Sequence, residues 1–134
     1  MVSQANVTEE VTHAFRALQM KELRWATAKV DGGNVVLVAT GPRESTLEEL
    51  VATLGDEPMY IVYDFEAVRA DSSTLCKTCF ICYSPDNCRS MQLKFALQNY
   101  KQSVKDKVNC QKEMQVNDKC DLTMREFNEQ FGLN

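Results

Sequence analysis

The chain has 134 residues, 44% hydrophobic and 25% charged, a composition that fits a globular domain and not a disordered chain. Fifteen Lys+Arg against nineteen Asp+Glu leave a net charge of −4, which argues against a general nucleic-acid binder, since those are usually basic. No apolar run approaches the roughly 20 residues needed to span a bilayer, and MVSQANVTEE has neither the basic nor the apolar region of a signal peptide. The expectation is a cytoplasmic protein without membrane insertion, its six cysteines reduced.

Val11, Ala14, Phe15 and Leu18 recur at helical spacing and predict a first helix over about residues 8–20, with Thr8 as its cap. LRWATAKVD and NVVLVATG follow as two strands, joined at Asp31-Gly32-Gly33-Asn34 by a hairpin turn that needs the positive φ glycine supplies. Ser45 is read as the cap of a second helix carrying Leu47, Leu50, Val51 and Leu54, with Gly55 as its stop. MYIVYDF and KTCFICYS are apolar almost throughout, as strands covered on both faces should be, with the polar RADSST between them. After the turn at Ser84-Pro85-Asp86-Asn87 comes a long helix, about residues 89–107. CQKEMQV is a short strand. Asp121 is read as the cap of a last helix with Met124, Phe127 and Phe131 in line, ended by Gly132. The order α-β-β-α-β-β-α-β-α predicts one α/β domain over 1–134, a mixed sheet sandwiched between helices.

Catalytic signatures are missing. The single histidine, His13, falls on the helix side away from Val11 and Phe15, and no phosphate loop or HExxH motif occurs. Neither an enzyme nor a cofactor is expected. Cys76-x-x-Cys79 with Cys82 resembles a metal ligand set, but on a strand Cys76 and Cys79 face opposite sides and cannot share one tetrahedral ion. Buried small hydrophobes are the simpler reading of these cysteines; a thiol-based redox or metal protein is the competing one.

The long helix carries the strongest functional signal. With residues about 100° apart, Leu93, Ala96, Leu97, Tyr100 and Val104 form a core face. Lys94, Gln98, Lys101 and Lys105 make a flanking stripe with no acid in it, while Met91, Phe95 and Gln102 point outward. Apolar anchors bordered by lysines describe an interface for an acidic partner.

YIVYDFEA, CFICYSPDN, a lysine-bearing long helix and EMQVND, in that order, resemble the actin-depolymerising-factor homology family over nearly the whole chain. Met1-Val2-Ser3, with Val7 and an amphipathic helix after it, is similar to the start of cofilins. The resemblance implies a non-enzymatic regulator that binds actin monomers and filaments and severs or depolymerises the filaments. In the family the long helix enters the cleft between two actin subdomains and the N-terminal segment contacts the same subunit. Carried onto this chain, the actin-binding residues are Ser3, Arg89, Met91, Lys94, Phe95, Gln98, Lys101 and Lys105, with Ser3 also the regulatory phosphosite; the lysines match the family's helix once one residue is added before Lys101. Arg69 and Lys77, in or beside the strand-connecting loop, and Arg125 and Glu126, on the last helix, are the implied filament contacts. Asp121-Leu122-Thr123 with Phe127, and SPDNC before a basic residue, look more like glia maturation factor. That likeness implies the alternative of binding the branched-actin nucleating complex and promoting debranching. Phosphoinositides are a further candidate partner for the lysine stripe.

Overall fold

In the computed structural model residues 6–133 are described, and they build six strands and four α-helices. The strands are β1 (Asn6–Val7), β2 (Leu23–Asp31), β3 (Asn34–Pro42), β4 (Met59–Val68), β5 (Thr74–Tyr83) and β6 (Lys112–Val116). The helices are α1 (Glu9–Gln19), α2 (Leu47–Ala52), α3 (Met91–Lys105) and α4 (Met124–Gln130). One sheet takes the order β1-β3-β2-β4-β5-β6. Its two outer pairings, β1 with β3 and β5 with β6, are parallel and the inner three antiparallel, so the sheet is mixed, as expected.

Alternation along β4 and β5 sorts the core into two layers. Ile61, Tyr63, Phe65, Cys79, Ile81 and Tyr83 point to one face, where they meet Leu47 and Leu50 of α2 and Phe127 of α4. Tyr60, Val62, Phe80 and Cys82 point to the other, against Val11, Phe15 and Leu18 of α1 and Leu97 and Val104 of α3. Phe127 fixes α4 by stacking against Phe65 and tilting on Tyr63, at ring-centroid separations of 5.5 and 5.2 Å.

The β2–β3 turn holds Gly32 at φ +57° and Gly33 at +87°, the positive values a two-residue hairpin of this kind requires. Gly132, at φ +67°, closes α4 with its N–H on the Glu129 carbonyl. Several boundaries differ from the expected ones. Thr46, not Ser45, caps α2, accepting from the Glu49 N–H at 3.2 Å. Ser45 is buried instead, where its hydroxyl accepts from Trp25 Nε1 at 2.9 Å and donates to Glu49 at 2.9 Å. α2 stops at Ala52, before Leu54 and Gly55. Thr123, not Asp121, caps α4 at the Glu126 N–H; Asp121 ends a 3-10 turn over Lys119–Asp121. The long helix begins at Met91, with Ser90 accepting from the Leu93 N–H. β4 and β5 run further into the polar stretch than expected, leaving a short loop after Val68. β1 is too short for any sequence period to show.

Trp25 lies flat across Gly41 of the neighbouring strand. A Cβ at Gly41 would come within 2.2 Å of the indole, whereas nothing lies within 4 Å of one at Gly55. Gly41→Ala should therefore displace the indole, break its bond to Ser45 and cost about 3 kcal/mol, the upper end for overpacking. Gly55→Ala should stay within about 0.5 kcal/mol of the parent. Chemical denaturation of the two variants checks this.

Candidate functional site: the outer face of the long helix

The helix α3 is held to the sheet along one narrow line. Leu97 and Val104 are its fully buried residues, while Leu93, Ala96 and Tyr100 are half-buried. The buried Tyr60 hydroxyl donates to the Leu97 carbonyl at 2.5 Å and ties the middle of the helix to β4. Burial, foremost, pushes the Tyr60 hydroxyl pKa far up, so it remains a donor. This leaves the first two turns projecting. Met91 and Phe95, one turn apart, are 59% and 61% exposed. Arg89 just before the helix is exposed, and Lys94 beside Phe95 is half-buried with no ion pair among the described residues. The first turn contains no acid.

Further along, the lysine stripe is interrupted. Glu113 of β6 lies 3.1 Å from Lys101 Nζ and 2.7 Å from Lys105 Nζ. Gln98 meets Gln115 of the same strand at 3.4 Å. The expected stripe without an acid is therefore corrected: the acid comes from another element. The hydrogen bonds from Lys105 and then Lys101 hold the Glu113 carboxyl below its usual range, and Glu113 in turn raises Lys105. Helix spacing could not reveal this contact, but strand alternation could have. Met114 and Val116 pack on the α2/α4 layer, so Glu113 and Gln115 must point toward α3.

The other candidates do not gather in one place. Ser3 lies outside the described residues. Arg69 is exposed in the β4–β5 loop, which faces Phe131 and Leu133 across an open cleft of about 630 Å³. Lys77 is half-buried within β5, paired in register with Phe65, and so belongs to the strand and not the loop. Arg125 is 87% exposed and pairs with Glu129 at 3.6 Å, and Glu126 sits in the first turn of α4; both are at the end of that helix away from the Arg69 cleft. His13 is exposed, as expected.

A buried charge cluster escaped the sequence reading. Asp64, 1% exposed, accepts from Lys21 Nζ and Arg43 Nη1, while Arg24 donates to the Asp64 carbonyl oxygen and reaches Glu66. It ties the end of α1 and the loop after β3 to the middle of β4.

The cysteines are free thiols, and Cys76 and Cys79 do face opposite sides: Cys76 is exposed and Cys79 is buried. Among the described residues no three His, Cys, Asp or Glu side chains are placed to hold a metal.

The family profile for cofilin/tropomyosin-type actin-binding proteins matches residues 4–132, and the chain belongs to that non-enzymatic, actin-binding family. An actin-depolymerizing factor from Brassica napus is 28% identical over 111 residues, covering 81% of this chain and 87% of its own. Among solved structures, a Streptomyces griseoflavus cofilin superposes with a TM-score of 0.82 at 16% identity, covering 93% of this chain and 97% of its own. The Plasmodium berghei actin depolymerization factor 2 gives 0.81 at 20% identity, covering 99% and 98%. Coactosin from Entamoeba histolytica gives 0.79 at 20%, covering 98% and 96%. These structural likenesses are of fold. Among the described residues no helix is long and apolar enough to cross a membrane.

Burial pushes the Cys79 thiol up to about 12 and Cys82 to about 11. Both stay protonated, and so unreactive, through pH 9 in the folded protein. Brief iodoacetamide labelling at pH 8 followed by peptide mass spectrometry should therefore modify Cys76 and spare Cys79 and Cys82, with all three modified after denaturation. Early modification of Cys79 or Cys82 would revive the thiol-chemistry reading.

Proposed function

We propose that this chain regulates actin filament turnover as one domain across residues 1–134. It binds actin monomers and filaments through the start of α3 and the N-terminal segment carrying Ser3, and it promotes depolymerisation and severing in a cytoplasmic, cytoskeletal setting. The observation that carries this reading is the Met91–Phe95 pair. Two large apolar side chains stand well exposed, one turn apart, beside Arg89 and Lys94, the latter without an ion pair among the described residues, on a helix of an actin-binding family member. Such anchors with a basic rim suit a partial apolar pocket bordered by acids. Severing follows from differential binding: the protein shifts a filament's conformation because it binds one subunit arrangement better than another. Filament-only contacts are supplied separately by Arg69 in the β4–β5 loop, by Arg125 and Glu126 at the far end of α4, and by the less accessible Lys77 of β5. Phosphate on Ser3 would add about −1.5 to −2 charges to the N-terminal segment and oppose docking on an acidic partner.

A second reading is supported by the Glu113 contacts. With Lys101 and Lys105 already paired, the basic side of α3 is weaker than its sequence suggests. Weak actin binding with action on the branched-actin nucleating complex fits that balance.

Co-sedimentation with filamentous actin separates the two. The protein should pellet with filaments and raise the actin left in the supernatant. Met91→Ala with Phe95→Ala should weaken binding by about tenfold or more while leaving the thermal melt unchanged, because both side chains are solvent-exposed. Normal binding by this variant would overturn the helix assignment. No binding by the parent protein, together with accelerated debranching, would establish the second reading. Ser3→Asp should weaken actin binding and Ser3→Ala should not; equal binding by both would remove the phosphosite.

A further inference from the structure

Two of the three lysines on the flank of α3 are held by a single carboxylate. Each oxygen of Glu113 serves one ammonium, Oε1 with Lys101 at 3.1 Å and Oε2 with Lys105 at 2.7 Å. The lysine side chains are 33% exposed and the Glu113 side chain 34%, so all three remain within reach of a docking partner. Glu113 is the less mobile member. Its backbone is paired in register with Phe80, and the alternation that buries Val116 on the opposite layer aims it at α3. The lysines sit on long, flexible stems and can be redirected. The three groups together carry a charge of +1, where the two lysines alone would present +2. A carboxylate of a partner approaching this end of the helix meets the like charge of Glu113 and competes with it for the same ammonium protons.

We propose that Glu113 sets the affinity of this face: it occupies Lys101 and Lys105 as an internal stand-in for a partner's carboxylate, and acidic partners gain those lysines only by displacing it. As applied to actin, this rests on the function proposed above. Exposed ion pairs of this kind are individually weak, so a partner offering several acids can displace the contact. Salt loosens it as well. Lys94, outside the contact, is available from the start, which makes the first two turns of α3 the entry point and the Lys101–Lys105 end the later, competed one.

The test compares the parent chain, Glu113→Gln, and Glu113→Gln combined with Lys101→Gln and Lys105→Gln. Glutamine keeps the shape of the side chain and removes its charge. Each protein is titrated with a ten-residue polyglutamate peptide and sedimented with filamentous actin at two salt concentrations, after a thermal melt confirms folding. Glu113→Gln should bind the peptide about two- to fivefold more tightly, the range an exposed ion pair can supply, with a steeper loss on adding salt. The triple variant should lose the gain. Unchanged or weaker peptide binding by Glu113→Gln would overturn the proposal, whatever happens with actin. A gain toward the peptide with no actin binding by any of the proteins would uphold the competition and overturn the actin reading. A gain toward the peptide with equal actin binding by parent and Glu113→Gln would overturn Glu113 as a control on actin affinity.

Discussion

Ten registered residue pairs join β4 to β5, from Met59 with Tyr83 to Val68 with Thr74, and most of that ladder is sealed from water on both faces. The other elements are placed by the need to cover it. Helices α1 and α3 close one face, and α2 and α4 the other. A strand pair buried on both sides cannot use polar alternation, so its residues are nearly all apolar. The buried polar members are Asp64 and its register partner Thr78, and the charged Asp64 is admitted to the middle of β4 because Arg43 and Lys21 reach it. That cluster fastens two connecting segments to the central strand, since a buried carboxylate without its cations would be strongly destabilising.

The covering of the sheet is uneven, and the candidate site follows from the unevenness. α1 buries Val11, Ala14, Phe15 and Leu18, a full stripe. The longer α3 buries only Leu97 and Val104 fully, with Leu93, Ala96 and Tyr100 half-buried, and adds polar contacts that include Tyr60 to a backbone carbonyl, Gln98 to Gln115 and two lysines to Glu113. The fully buried residues and these polar contacts all lie at or after Leu97, so the helix is secured most firmly along its later turns and its outer side stands free at the start. Met91 and Phe95 are exposed for this geometric reason.

The strongly patterned elements were legible in the residues. The first helix, the glycine hairpin and the two apolar strands all carry a period or a turn chemistry that a local reading detects, and the mixed sheet between helices followed from their order. The caps at Thr46 and Thr123 were missed because a neighbouring Ser45 or Asp121 offers the same chemistry within two residues. Only the tertiary structure shows that Ser45 is already engaged by Trp25. Met91 and Phe95 were readable as outward-facing because helical spacing is local. The Asp64 cluster was not read because its partners come from segments far apart in the chain, and Glu113 because its lysines, though close in sequence, belong to a different element whose packing against β6 helix spacing does not show.

The chain has one tryptophan, and its place in the fold decides what it can report. Trp25 is packed on the α2/α4 layer, its indole nitrogen bonded to Ser45, with the full thickness of the sheet between it and α3. Its emission is thus a faithful monitor of unfolding and of disturbances around the second helix. A partner seated on Met91 and Phe95 would leave it dark to the event, and a fluorescence titration that shows no change would say nothing against binding there.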